Sequence, residues 1–237
     1  MRHERALRYT ANQIAEMIKP PIFEYQKVPL PFGLSSPGHD RRETCDLIFP
    51  TTLDSASVLD IGSALGAVSF EAEKRGAARV VGLEPRASRF QASIILKEIL
   101  CSEVEFKRNT LNEFLLQESV SGATSRRFDY VLLLNVIHHL EYPISSLIDC
   151  ARLAKAKFII EFPTLDDPIF AGVPPMLAID LNKLALIGVS TRAADQTFVF
   201  TQLALERILL DHHKIFSKAL FTPSPMQSGR VIGVFER

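Results

Sequence analysis

The sequence lacks a surplus of either charge: 27 Lys and Arg stand against 27 Asp and Glu in 237 residues. Nucleic-acid binders carry an excess of basic side chains, so this balance argues against a dedicated polyanion surface while leaving room for a local patch. Cysteine is scarce. Cys45, Cys101 and Cys150 are odd in number, far apart and without a CxxC pair, so neither a disulfide framework nor a structural zinc site follows. Long apolar runs are missing: the longest, Tyr130 to Leu134, is far too short to span a bilayer. The start, MRHERALRYTANQ, is charged and holds no signal-peptide core. A soluble, reducing, cytoplasmic protein with no membrane partner is expected. Internal repeats and low-complexity segments are absent.

What the chain does have is apolar mass. Hydrophobic residues make up 47% and charged ones 23%, which excludes a disordered or fibrous chain. Residues 3–18 carry Leu7, Ile14, Met17 and Ile18 at helical spacing, stopped by Pro20 and Pro21. Prolines over 20–38 predict an extended strap, and Asp40 is placed to cap a short helix running to Phe49.

From Ser57 the pattern changes. Predicted strands at Ser57–Ile61, Arg79–Leu83, Val104–Phe106, Phe128–Leu133 and Lys157–Glu161 alternate with helices near 66–75, 87–100, 112–118 and 144–154. Such alternation predicts βαβ units, and strands apolar on both faces predict helices on both sides of the sheet. Proline interrupts 163–200, where a helix near 176–187 is expected. Thr201 reads as the cap of a helix reaching Leu210, followed by strands near 214–220 and 230–235. The fold class expected is α/β, a Rossmann-like doubly wound, mostly parallel sheet with a terminal antiparallel hairpin and an N-terminal helical cap.

The strongest local signal is Val58-Leu-Asp-Ile-Gly-Ser-Ala-Leu-Gly66, joining the first of these strands to the next helix, where an open α/β sheet places its ligand. Gly62 permits a close reversal around Ser63, and Gly66 lets the helix start pack tightly. Glu84 ends the second of these strands, placed to accept hydrogen bonds from both ribose hydroxyls of a nucleoside. A dinucleotide loop would need glycine at 64 and 67, and both are alanine. Asp60 sits badly beside a pyrophosphate and well beside a positive centre with an amino-acid tail, as in S-adenosylmethionine. Its alternative role is to cap the loop.

VLDIGSALG, VVGLEP and FDYVLLLNVIHHLEYP together resemble the class I S-adenosylmethionine-dependent methyltransferases. The family's usual loop is D-x-G-x-G-x-G, so Ala64 replaces the middle glycine. A narrower likeness, carried by FEYQKVPLPFGLSSPGHDRRETCDLIFP over 23–50, is to a branch that includes the tRNA wobble-uridine carboxymethyltransferase and uncharacterised enzymes of glycan or secondary-metabolite genes. The resemblance implies a cofactor-covering cap over 1–50 and a methyltransferase domain over 51–237, with 163–200 as an acceptor-side insertion. It implies that Asp60, Gly62, Ser63, Gly66, Glu84, Pro85, Thr110, Leu111 and Asn135 bind the cofactor, Thr110 and Leu111 on its adenine side. Arg41, Arg42 and Thr44 line the cover by the same resemblance, or form a solvated helix start.

Asn135-Val-Ile-His-His-Leu140 follows the fourth of these strands and reaches the crevice edge. A neutral imidazole there suits a general base, which an alcohol acceptor needs. His139 and His138 are therefore the catalytic candidates, His139 the better aligned, since the narrower branch carries a Tyr-His pair at this point. The plain alternative is scaffold. Glu161, Asp166 and Asp167 lack the spacing of a metal site, and no metal is expected. His212 and His213 read as helix-end residues. The leading function is O-methylation of a small molecule such as a sugar or natural product, with tRNA modification and a catalytically silent binding subunit as alternatives. Oligomeric state is left open by the pattern.

Overall fold

A computed structural model describes residues 8–120, 127–167, 181–189 and 198–237. The chain divides into two compact units, Met1–Thr124 and Ser125–Arg237.

The first unit opens with α1 (Ala11–Met17). Its cap is Thr10, which accepts from the Gln13 amide while the Gln13 side chain accepts from the Thr10 amide, a reciprocal capping box. Among the described residues the helix thus begins at Ala11; the expected start at residue 3 lies outside them. The proline strap is not featureless. It holds 3₁₀ turns at Pro21–Phe23 and Pro31–Gly33 and a parallel pairing of β1 (Gln26–Lys27) with β2 (His39–Asp40). α2 (Arg42–Ile48) has Arg41, not Asp40, at its cap position. Asp40 still accepts the Arg42 amide at 3.0 Å from one residue further out, because the Arg42 guanidinium holds its carboxylate there. That contact keeps the Asp40 carboxyl down at about 2.

β3 (Ser57–Ile61), α3 (Ala67–Lys74), β4 (Arg79–Leu83), α4 (Ala87–Leu100), β5 (Glu105–Lys107) and α5 (Leu111–Val120) follow in βαβ order. β3 pairs with β4 and β4 with β5, both parallel. Val58, Leu59, Val80 and Val81 are buried to within a few percent. Each such side chain contributes on the order of 2 kcal/mol by leaving water.

The second unit contains β6 (Phe128–Leu134), α6 (Pro143–Leu153), β7 (Ala154–Pro163), β8 (Ile187–Val189), β9 (Phe198–Phe200), α7 (Gln202–Glu206), β10 (Lys218–Pro223) and β11 (Arg230–Glu236). β6 and β7 are parallel; β11 is antiparallel to both β7 and β10, which makes the expected terminal hairpin. Phe216 and Phe221 pack on Phe235 at 5.9 and 5.7 Å. β7 runs longer than expected because β6 pairs with it from Ala154 and β11 carries the pairing on to Pro163.

Three expectations need correction. The described end of the helix near 176–187 is a 3₁₀ turn, Leu181–Lys183, followed by a strand. Pairing wins there: Ile187 opposes Phe200, and the Thr201 hydroxyl takes the Leu186 amide. Thr201 does cap α7, but beyond Glu206 the helix widens to a π turn over Arg207–His212. The strand expected from 214 then begins only at Lys218, because the Ile215 amide turns back to the Leu209 carbonyl. Among the described residues no helix is long and apolar enough to cross a membrane.

Candidate functional site

In the first unit, the loop after β3 is defined by where its backbone donors go. The Gly62 and Ser63 amides both donate to the Leu83 carbonyl, at 2.8 and 2.9 Å. The Ala64 amide donates to Glu84 Oε2 at 3.0 Å. The Leu65 and Ala67 amides share Gln26 Oε1, at 3.0 and 3.3 Å, and the Gly66 amide returns to the Ser63 carbonyl at 2.9 Å. Every N–H from 62 to 67 is thus satisfied by the protein. A pyrophosphate-binding loop leaves such donors for its ligand; this one does not.

Gly62 and Gly66 have φ of +75° and +87°. At Gly66 the requirement is doubly strict, since a Cβ would fall 2.5 Å from Phe106 Cζ. Ala64 also lies in the left-handed region, at φ +51°. An L-residue pays about 1–2 kcal/mol for that conformation, so the loop carries strain at the position where the resembled family has glycine.

What the loop region offers is acceptors. Glu84 is buried, with Oε2 on the Ala64 amide and Oε1 on the Arg86 amide at 2.8 Å. Each oxygen keeps a second lone pair, which suits a pair of ligand hydroxyls. Asp60 is buried and accepts from the Ser69 hydroxyl at 2.6 Å. Burial, with the charge of Glu84 adding, pushes its carboxyl up to about 6 against the pull of Ser69 and Arg41. Ser63 Oγ and Thr44 Oγ1 are buried without a hydrogen-bond partner. Two buried carboxylates and no spare amide donor fit a hydroxyl-bearing cation and oppose a phosphate ester.

The remaining residues expected here divide. Pro85 is exposed just past β4. Thr110 is engaged at the start of α5, its amide and hydroxyl donating to Glu113 Oε2 at 2.7 and 3.0 Å while its Oγ1 accepts the Glu113 amide. Leu111 is buried in the first turn. Arg42 is committed to Asp40, whereas Arg41 acts on Asp60 electrostatically. Gln26 was not singled out in the sequence. A lone glutamine on a proline-rich strap, 39 residues from its partner, leaves no motif to find.

In the second unit, Asn135 follows β6 directly at φ +59°, a region asparagine tolerates better than most side chains. Its amide donates to the Glu161 carbonyl at 2.8 Å and its Nδ2 to Glu161 Oε2, while Arg230 Nη1 donates to its Oδ1. The Ser224 hydroxyl donates to Glu161 Oε1, and Arg230 Nε to Asp167 Oδ2 at 3.0 Å. The Asn135 amide orientation is therefore dictated from both ends, leaving one Nδ2 proton to donate elsewhere. Arg230 and Ser224, absent from the expected site, belong to this cluster. Asp166 accepts instead from Asn182 at 3.0 Å, and among the described residues no group of three His, Cys, Asp or Glu is arranged to hold a metal.

His138 and His139 occupy one 3₁₀ turn, Ile137–His139, their rings 4.2 Å apart. They differ sharply. His139 is exposed, while His138 is buried with neither ring nitrogen hydrogen-bonded. Burial, then the neighbouring His139 and Arg230, push the His138 imidazole down to about 3, so it is neutral at pH 7. His212 and His213 lie elsewhere, at the end of the π turn with rings 4.8 Å apart.

Residues 38–219 match the model of a family described as a methyltransferase domain. No curated protein sequence matches the chain. Among solved structures, the N-terminal domain of EvdMO1 with bound SAH is 15% identical, with 98% of this chain and 99% of that one aligned and a TM-score of 0.66. The same domain in the presence of SAH and D-fucose gives 16%, 94% of each chain and 0.63. The magnesium protoporphyrin IX methyltransferase of Synechocystis PCC 6803, with bound SAM, gives 17%, 78% and 72%, and 0.51. These likenesses establish the fold: a Rossmann-like, mostly parallel sheet with flanking helices and an antiparallel hairpin.

Proposed function

The chain belongs to the methyltransferase-domain family and is an S-adenosylmethionine-dependent methyltransferase; on that premise we propose that it methylates a hydroxyl oxygen of a small molecule such as a sugar or natural product. The observation that carries the acceptor half is His138. A buried neutral imidazole has one donor and one acceptor to satisfy, and a hydroxyl group complements either. A carboxylate can pair only with the N–H and an ammonium only with the bare nitrogen, whereas a hydroxyl can pair with whichever nitrogen faces it. The D-fucose present with the EvdMO1 domain is a further support for a sugar.

In this reading the cap over 1–50 and the domain over 51–237 divide the work; of the acceptor-side insertion expected over 163–200, residues 168–180 and 190–197 lie outside the described residues. Glu84 accepts the two ribose hydroxyls. Asp60 faces the cationic, amino-acid end, while Gly62, Ser63 and Gly66 shape the turn that seats it. Pro85 follows Glu84 along the cofactor, and Thr110 and Leu111 serve the adenine end, where the Thr110 side chain is already engaged and Leu111 offers apolar surface. Asn135 supplies its remaining Nδ2 proton to the cofactor. The bound cofactor supplies an electrophilic methyl group on sulfonium. The chain's task is to align an acceptor oxygen with that carbon and to accept the proton it releases. His139 takes the proton; His138, held neutral, orients the hydroxyl. A cytoplasmic location accompanies this reading.

The test is transfer of labelled methyl from S-adenosylmethionine to a panel of free and nucleotide-linked sugars, with tRNA as a comparison acceptor. Labelling of a sugar with none in tRNA supports the proposal. Labelling or salt-dependent filter retention of tRNA alone moves the chain to the wobble-uridine branch. Cofactor binding without transfer to any acceptor assigns it to the silent-subunit reading.

A further inference from the structure

The strap upstream of β3 holds a buried polar side chain in direct contact with the cofactor loop. Gln26 is 6% exposed, and its Oε1 takes the Leu65 and Ala67 amides together. We infer that Gln26 is a positioning residue for S-adenosylmethionine binding: it holds the Ser63–Ala67 turn in the shape the cofactor requires, so that the strap is a working part of the cofactor site. The inference rests on the cofactor reading above.

Three observations carry it. First, the turn is held by side chains from two directions, Glu84 on the Ala64 amide and Gln26 on the amides that follow. Between these two clamps lies Ala64, in a left-handed conformation that an alanine does not keep unaided. Glu84 is also the ribose ligand of the proposed function, so a turn that slackens on the Gln26 side releases the Ala64 amide and with it the Glu84 carboxylate.

Second, the strap is built to aim Gln26. Ser36 Oγ donates to the Gln26 carbonyl at 2.7 Å and accepts the Val28 amide at 2.8 Å, clasping the chain on either side of Lys27. The His39 amide reaches the Tyr25 carbonyl, and Gly38, at φ +120°, passes so close that a Cβ would lie 2.6 Å from the Tyr25 carbonyl carbon. The Arg89 guanidinium, from α4, stacks 3.8 Å from the Tyr25 ring centre. Gln26 is thus fixed by backbone contacts on both of its sides.

Third, the side chain at this position matches the ligand. An acceptor oxygen over the first turn of α3 satisfies donors that a phosphate would otherwise seek.

The experiment measures SAH binding by calorimetry to the wild-type chain, to Gln26→Met, which keeps volume and removes the acceptor, and to Gln26→Glu, which restores an acceptor oxygen. Hydrogen exchange of the wild-type strap is followed with and without SAH. The inference expects at least a tenfold loss of affinity in Q26M, recovery to within about threefold in Q26E, and slowed exchange over residues 26–40 when SAH binds. Q26M binding as tightly as wild type, or Q26E as weakly as Q26M, overturns it. Should Q26M fail to fold, exchange in the wild type decides, and a strap indifferent to SAH overturns it. Absence of SAH binding to the wild type is a different result: it removes the cofactor reading itself.

Discussion

At the scale of single residues, Asp60 makes the sharpest prediction. Its folded-state carboxyl is raised to about 6 by burial, so the protonated form is favoured in the folded protein. That contribution to stability is complete below about pH 4 and is lost as pH rises through about 6. A bound cation reverses the preference, because it rewards the ionised form. Affinity for S-adenosylmethionine is therefore expected to rise toward tenfold per pH unit up to about pH 6 and to level off above 7. Titrations across that range check this, and Asp60→Asn should flatten the curve. His138 contributes in the opposite sense: its folded value is depressed, so its stabilisation is present above about 6.5 and is lost as pH falls toward 3. Replacing it with Leu removes two unsatisfied polar atoms, so the melting temperature should hold or rise while methyl transfer falls at least tenfold. A large drop in melting temperature with unchanged transfer would make it scaffold. Ala64→Gly relieves left-handed strain but adds unfolded-state freedom, two terms of about 1 kcal/mol that nearly cancel. Unfolding in denaturant should show less than about 1 kcal/mol change.

At the scale of elements, the parallel strands were the most legible part of the chain. Ser57–Ile61 and Arg79–Leu83 fall where their buried apolar runs placed them, as does α4 over Ala87–Leu100. Such elements declare themselves locally, by continuous β-branched runs or helical spacing. The misread elements are those decided by contacts outside their own run. Ile187 is a strand because Phe200 pairs with it, and β10 starts late because Ile215 turns back to Leu209. The site divides the same way. Asp60, Gly62, Gly66 and Glu84 lie at the ends of legible strands, whereas Gln26 and Arg230 depend on partners 39 and 63 or more residues away. Two substitutions test the elements. Thr110→Ala breaks the α5 capping box and should cost about 1 kcal/mol in thermal or denaturant unfolding. If SAH affinity is unchanged, the Thr110 side chain serves the helix alone. Arg230→Met removes the ion pair to the buried Asp167 carboxylate and one of the bonds that orient the Asn135 amide. It should cost about 3–5 kcal/mol, far more than a surface ion pair.

At the scale of the whole molecule, the balance of 27 basic against 27 acidic residues says least about the fold. It separates acceptor classes, and it does so weakly. The stronger discrimination comes from the loop, which spends all its amides internally and presents carboxylates. A chain of this kind should bind a sulfonium nucleoside and reject a dinucleotide, although both cofactors are carried by α/β folds with a glycine loop after the first strand of their sheet. Ligand binding should also stabilise the fold by mass action, by about 2.7 kcal/mol at a hundredfold excess over Kd.

The most direct test of the account is a calorimetric titration of the wild-type chain and Glu84→Ala with SAH, with NAD as the control ligand. The account predicts saturable one-to-one binding of SAH to the wild type, at least a tenfold loss in E84A from the missing charged hydrogen bonds, and no binding of NAD. A wild-type chain that takes NAD and ignores SAH, or an E84A variant that binds SAH undiminished, would contradict it.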